Sequence, residues 1–111
     1  MITLIQAQFA LSLTEVAQSQ LRAQYYQQRI STGAWRERIG KVYVGGLPEH
    51  GGVLMTEDAI LRDEVETMHR HIDRAEKHLD YSKELLSKLK EEERRYLCTI
   101  PTRVCCCCVS L

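Results

Sequence analysis

The strongest constraint on the fold is an apolar repeat within residues 57–97, whose spacing alternates between four and three residues. This alternation places the repeated side chains on one helical face, and about five heptads of it are typical of a coiled coil. The repeat runs through Leu61, Val65, Met68, Ile72, Ala75, Leu79, Ser82, Leu86, Leu89, Glu93 and Tyr96. We predict a coiled-coil helix over 56–97 whose interface residues are Leu61, Val65, Met68, Ile72, Leu79, Leu86 and Leu89.

Flanking residues support this helix, and its apolar face, called the seam below, must pack against another helix. Thr56 can cap its start, and Glu57 and Asp58 suit the positive end of the helix dipole. The seam could pack against the N-terminal arm of the same chain, or against a second chain. We expect the second case, with a helical protein partner or a homo-oligomer, because the repeat is long and regular.

A second helix is predicted over residues 1–30. Ile5, Phe9, Leu13 and Val16 recur at helical spacing, and glutamines occupy much of the remaining surface. Gly33 follows as the stop signal. With a length of 111 residues and a net charge of zero, the expected fold class is all-α: an elongated helical or coiled-coil protein with two helical arms and a Gly-rich irregular joint.

The joint, residues 31–55, holds one strand-like segment. Residues 41–44 favour a strand, which residues 53–55 could pair with as a hairpin. The hexamer Val42-Tyr43-Val44-Gly45-Gly46-Leu47 resembles the first ribonucleoprotein motif of RNA-recognition domains, which implies that Tyr43 stacks on a base. The further strands and the second motif of that family do not follow. RNA binding is therefore an alternative function, and a nucleic-acid partner is not expected.

The tail, residues 98–111, ends in a prenylation box. Cys108 is followed by Val, Ser and a terminal Leu, and Leu in the last position favours a geranylgeranyl group. Further cysteines that could be palmitoylated are Cys105, Cys106 and Cys107. A tail read from an intron or a shifted frame would look similar. Adjacent cysteines pair poorly, so we expect reduced thiols in the cytoplasm, with the lipidated tail holding the chain on a cytosolic membrane face.

No pattern in the sequence indicates catalysis. The histidines lack the i, i+4 spacing of a helical zinc site, and no nucleophile elbow or phosphate-binding loop is present. We expect that the chain is not an enzyme, has no catalytic residues and binds neither a cofactor nor a metal ion. The expected function is coiled-coil interaction or tethering, a layout shared with SNARE-type helices. Besides RNA binding, a second alternative is that the chain is a truncated isoform or fragment of a larger helical scaffold or membrane-trafficking protein.

Overall fold

The fold is all-α, as the sequence predicts. A computed structural model describes residues 3–99, in which two long helices flank an irregular segment. The segment contains two short strands and two single 3₁₀ turns. The helices are α1 (Leu4–Thr32) and α2 (Glu57–Thr99), the strands are β1 (Tyr43–Val44) and β2 (Val53–Leu54), and the turns span Ala34–Arg38 and Pro48–His50.

Side-chain caps define the helix starts. The Thr3 amide donates to Gln6 Oε1 at 2.9 Å, and the Gln6 amide donates to Thr3 Oγ1 at 3.2 Å, which is a capping box at the start of α1. At α2 the Ala59 amide donates to Thr56 Oγ1 at 3.2 Å, as predicted. Gly33 follows α1 with a φ of 81°, a left-handed conformation that glycine adopts without steric cost.

The described residues fall into two compact units. The first draws on Met1–Val16 and Glu76–Leu111, and the second consists of Ala17–Ala75. Each unit contains part of α1 and part of α2. In the second unit the two parts run antiparallel, because the contacts move from Glu64 to His71 along α2 as they move from Arg29 to Tyr26 along α1.

Small hydroxyl side chains join the helices of the first unit. The Oγ atoms of Ser12 and Ser82 lie 2.7 Å apart, and both lie within 3.0 Å of the His78 carbonyl oxygen. Contact between side-chain hydroxyls and a backbone carbonyl brings the helix axes close together. Ser12 is buried, whereas Leu13 is 44% exposed. The packed face of α1 therefore passes through Ser12, next to Leu13.

A buried carboxylate joins the helices of the second unit. Glu64 on α2 is 1% exposed, and its carboxylate accepts hydrogen bonds from Arg29 Nε and Nη2, the shortest at 2.8 Å. Arg38 Nη1, from the 3₁₀ turn, donates to the same carboxylate at 3.2 Å and to Asp63 at 3.0 Å. Arg29 also bonds Glu37 at 2.7 Å. Two guanidinium groups thus neutralise one buried charge and tie three chain segments together.

These contacts shift the pKa values of the groups involved. The hydrogen bonds from Arg29 lower the pKa of the Glu64 carboxyl, against the opposing effect of burial, and those from Arg38 lower it further. The hydrogen bonds to Glu64 and Glu37 raise the pKa of Arg29. The Glu64 carboxyl and the Arg29 guanidinium therefore stay charged at neutral pH.

An aromatic stack lies further along the same helix pair. The rings of Tyr26 and His71 are nearly parallel, with centroids 5.7 Å apart. Burial lowers the pKa of His71, and the positive charges of Arg22, Arg74 and Arg70 lower it further. A neutral imidazole stacked on Tyr26 is the form that this environment favours.

The irregular segment forms the hairpin that the sequence suggested. Tyr43 pairs with Leu54 and Val44 pairs with Val53 in an antiparallel ladder, and the Met55 amide extends it to the Val42 carbonyl at 2.8 Å. The turn is tight, because a Cβ on Gly52 would overlap the carbonyl oxygen of Gly46. Both strands are exposed on both faces.

Candidate interaction surfaces

The predicted seam of α2 supplies only part of the face that packs against α1. Leu61, Val65, Met68 and Leu89 are half-buried, whereas Ile72, Leu79 and Leu86 are 37–39% exposed. The small seam residues Ala75 and Ser82 are buried. The packed face thus keeps Ala75 and Ser82 and is rotated by about 50°, half of one residue step, from the predicted one.

Polar residues explain the rotation. The positions one residue before the predicted seam residues 65, 72, 79 and 86 are Glu64, His71, His78 and Leu85, and these face α1. Three of these four residues are polar, so the sequence alone predicts that they are exposed to solvent. On packing, the Glu64 carboxylate meets Arg29 of α1, the His71 ring stacks on Tyr26, and the backbone carbonyl of His78 accepts a hydrogen bond from Ser12.

The rotation leaves an apolar edge on the first unit. Leu13 follows buried Ser12, Leu86 follows buried Leu85, and Leu79 follows His78. One residue turns a helix by about 100°. The two helices of this unit pack side by side as a hairpin. On both helices, the residue that follows a packed residue therefore points to the same side of the helix pair. We call the surface made by Leu13, Leu79 and Leu86 the leucine edge.

The other side of the first unit carries a groove. It encloses about 250 Å³ and is open to solvent. Leu11 and Tyr81, from the two helices, are its exposed apolar walls, at 67% and 43% exposure. The groove, called the Leu11 groove below, is lined by Gln8, Leu11, Ser12, Glu15, His78 and Tyr81.

Tyr43 lies on β1, where its exposed ring stands opposite Leu54. Within residues 3–99 the sheet has two strands, whereas an RNA-recognition domain offers its stacking aromatics on a four-stranded sheet. The structure thus places Tyr43 on a surface but brings no second aromatic or basic group beside it through the described contacts.

Other predicted features are located as follows. Cys105, Cys106, Cys107 and Cys108 lie outside the described residues. Over residues 3–99, His, Cys, Asp and Glu side chains nowhere gather in threes as a metal ion would need. In the same range neither helix has an apolar stretch that could cross a membrane.

Comparison with known proteins identifies no relative. No family model, no curated protein and no solved structure matches this chain. The surfaces described above are therefore interpreted from their own geometry and chemistry.

Sequence reasoning missed the serines that form the helix contact. Ser12, Val16, Ser19 and Ala23 are buried on α1, and with Ile5 and Phe9 they continue an alternating spacing of four and three residues. This repeat was visible in the sequence, but it is populated by small residues instead of large apolar ones. Counting Ser and Ala as interface residues would have found it.

Proposed function

We propose that this chain is a non-enzymatic helical interaction protein that binds a partner helix along its leucine edge. The observation that carries the proposal is the exposure of Leu13, Leu79 and Leu86 on one side of a helix pair. A helix pair presents a ready groove for a third helix, whose apolar side chains pack as knobs between those of the pair.

The distribution of apolar side chains supports an interaction role. Among the described residues, fifteen large hydrophobic side chains are exposed, whereas six hydrophobic residues are buried, two of them alanines. Scattered exposed leucines are ordinary in monomeric proteins, but three exposed leucines on one side of two neighbouring helices offer a partner helix several contacts at once. Burial of one such leucine contributes roughly 1.5–3 kcal/mol to association.

The test is site-specific photo-crosslinking in cells. A photoreactive phenylalanine analogue is introduced at Leu86, on the edge, or at the neighbouring exposed residue Ser87 as the matched control. We expect a discrete adduct with another protein from position 86 and none from position 87. Leu79→Gln in the same chain should abolish the adduct without reducing helicity. Equal crosslinking at both positions, or none at either, would refute the leucine edge as a binding surface.

The tail adds a proposed tethering role. Prenylation of Cys108, followed by palmitoylation of Cys105, Cys106 and Cys107, would supply the two lipid signals that stable membrane residence requires. The helix pair would then hold its partner at a cytosolic membrane face. Intact-mass measurement of the protein from eukaryotic cells decides this directly. An unmodified tail that retains its last three residues would remove the tethering role and leave the leucine edge unaffected.

A further inference from the structure

Two charged residues flank the centre of the leucine edge. Glu76 precedes Leu79 by three residues and Lys83 follows it by four, so they lie about 60° and 40° around α2 from Leu79, on the same flank. Both are exposed, and the ion pairs formed within residues 3–99 involve neither of them. The edge thus carries one acidic and one basic group at nearly equal distances on either side of a central leucine.

The α1 part of the edge lies level with this centre and is uncharged. Leu13 is level with Leu79, because its neighbour Ser12 donates a hydrogen bond to the His78 carbonyl. Glu15 is the single Asp, Glu, Lys or Arg residue among residues 1–21, and it lines the Leu11 groove on the other side of the unit. One axis perpendicular to the helices can therefore pass beside both leucines without bringing charges of α1 together.

The charge pattern selects a partner and a direction. In a two-fold contact between identical chains, if residue i of one copy meets residue j of the other, residue j also meets residue i. Antiparallel pairing of two α2 helices about Leu79 places Glu76 of each copy beside Lys83 of the other, which gives two ion pairs. Parallel pairing would bring like charges together, and a register centred between Leu79 and Leu86 would bring the two copies of Lys83 together. Charge pairs of this kind fix orientation and register in coiled coils.

The remaining charges near the edge are compatible with antiparallel pairing. Asp80 lies nearest to the axis, but it is exposed and turned about 100° from Leu79, with Lys77 and Lys83 three residues away on either side. Lys90 lies on the edge itself, about 16 Å along α2 from Leu79. Its long side chain can extend to solvent. The contact therefore needs no unpaired charge to be buried.

We propose that the partner helix of the leucine edge is α2 of a second copy of this chain, bound antiparallel about a two-fold axis at Leu79. The inference rests on the proposed function, because it assigns an occupant to the same edge. Leu79 and Leu13 of one copy meet the same residues of the other, and Glu76 pairs with Lys83 on both sides of the axis. The leucines supply most of the affinity, and the ion pairs set the direction.

Charge reversal tests the assignment by sedimentation equilibrium of the purified full-length chain, with reductant to keep its five cysteines from crosslinking. Wild type should be dimeric. Glu76→Lys and Lys83→Glu should each raise the dimer dissociation constant at least about tenfold, because both symmetric pairs become repulsive. The double variant exchanges the two charges and should restore the wild-type constant. Glu84→Lys is the matched control without expected effect, because Glu84 is exposed about 140° around α2 from Leu79.

The outcomes separate this inference from the proposed function. A wild-type chain that is monomeric at every concentration would overturn the second-copy assignment. So would single variants that weaken the dimer no more than Glu84→Lys, or a double variant that stays weakened. The crosslink at Leu86 in cells tests the edge itself. An adduct of twice the chain mass supports the second copy, whereas an adduct with a different protein keeps the edge and refutes the second copy. The absence of any adduct refutes the edge and this inference with it.

Discussion

The two units of this chain use opposite means to hold the same two helices together. In the second unit, α1 and α2 are joined by a charged carboxylate under two guanidinium groups, with Trp35 buried in the same unit. In the first unit, two serine hydroxyls meet and Leu85 is buried, whereas Leu13, Leu79 and Leu86 stay exposed. A charge cluster demands one register, because any slip leaves a charge buried and unpaired. A serine contact requires only a short distance between the two helices, and it leaves apolar side chains free to contact other chains.

The largest effect should come from breaking the charge cluster. Glu64→Ala leaves Arg29 and Arg38 without their shared partner and should lower the free energy of unfolding by about 3–5 kcal/mol, the usual result of orphaning a buried ion pair. Glu91→Ala is the control, since Glu91 pairs with Arg95 at the surface and such pairs contribute about 0–1 kcal/mol. Urea unfolding at neutral pH measures both. Similar losses would mean that the cluster does not organise the second unit.

Enlarging the serine contact should have the next largest effect. Ser82→Leu places a bulky side chain where Ser12 Oγ lies 2.7 Å away, so the helices must separate. Overpacking of this kind costs about 1–3 kcal/mol. Ser87→Leu adds the same side chain at an exposed position of α2 and should be nearly neutral. Thermal unfolding followed by circular dichroism distinguishes them, and equal melting temperatures would show that the first unit tolerates wider helix spacing.

The serines of α1 sharpen the comparison further. Ser12 is hydrogen-bonded in the first unit, whereas Ser19 Oγ in the second unit is buried and has no partner among the described residues. A buried hydroxyl without a hydrogen bond costs free energy, and alanine is the better helix former. Ser19→Ala should therefore raise the free energy of unfolding by about 1 kcal/mol, and Ser12→Ala should lower it by about 1 kcal/mol. Changes of the same sign in urea unfolding would contradict this difference.

The smallest effect concerns pH. Because folding lowers the pKa of His71 below its ordinary 6.5, the unfolded chain binds a proton more readily than the folded one. Both states are neutral at His71 above pH 6.5, and the free energy of unfolding falls as pH drops from there toward the folded-state pKa. His71→Gln should flatten this part of the stability curve.

A second histidine and the Glu64 carboxyl make the pH experiment specific. His69 is exposed on the same helix, so His69→Gln should retain the wild-type slope between neutral pH and pH 5. The lowered pKa of Glu64 acts in a different window. Its stabilising contribution is present above the ordinary value of 4.5 and disappears as pH falls through the folded-state value. An unchanged slope in His71→Gln would mean that burial does not lower the pKa of His71 in solution.

Local signals in the sequence were sufficient for the two helices and the hairpin, but not for the two 3₁₀ turns. Thr56 and Gly33 bound the helices where predicted, and the segment from Tyr43 to Leu54 pairs as the hairpin that its glycines allow. Such features depend on neighbouring residues alone. The interface was harder to predict, because Glu64 and His71 look like surface residues until Arg29 and Tyr26 are placed beside them.

The sequence by itself determined two long amphipathic helices, their caps and the turn between them, because helical spacing and glycine conformation act over a few residues. Only the tertiary structure decided which stripe of α2 faces α1. That choice depends on whether buried polar groups find partners, and the side chains of Glu64 and Ser82 find theirs at Arg29 and Ser12, far away in sequence. By satisfying polar groups on the inside, the fold leaves Leu79 and Leu86 outside, where another helix can reach them.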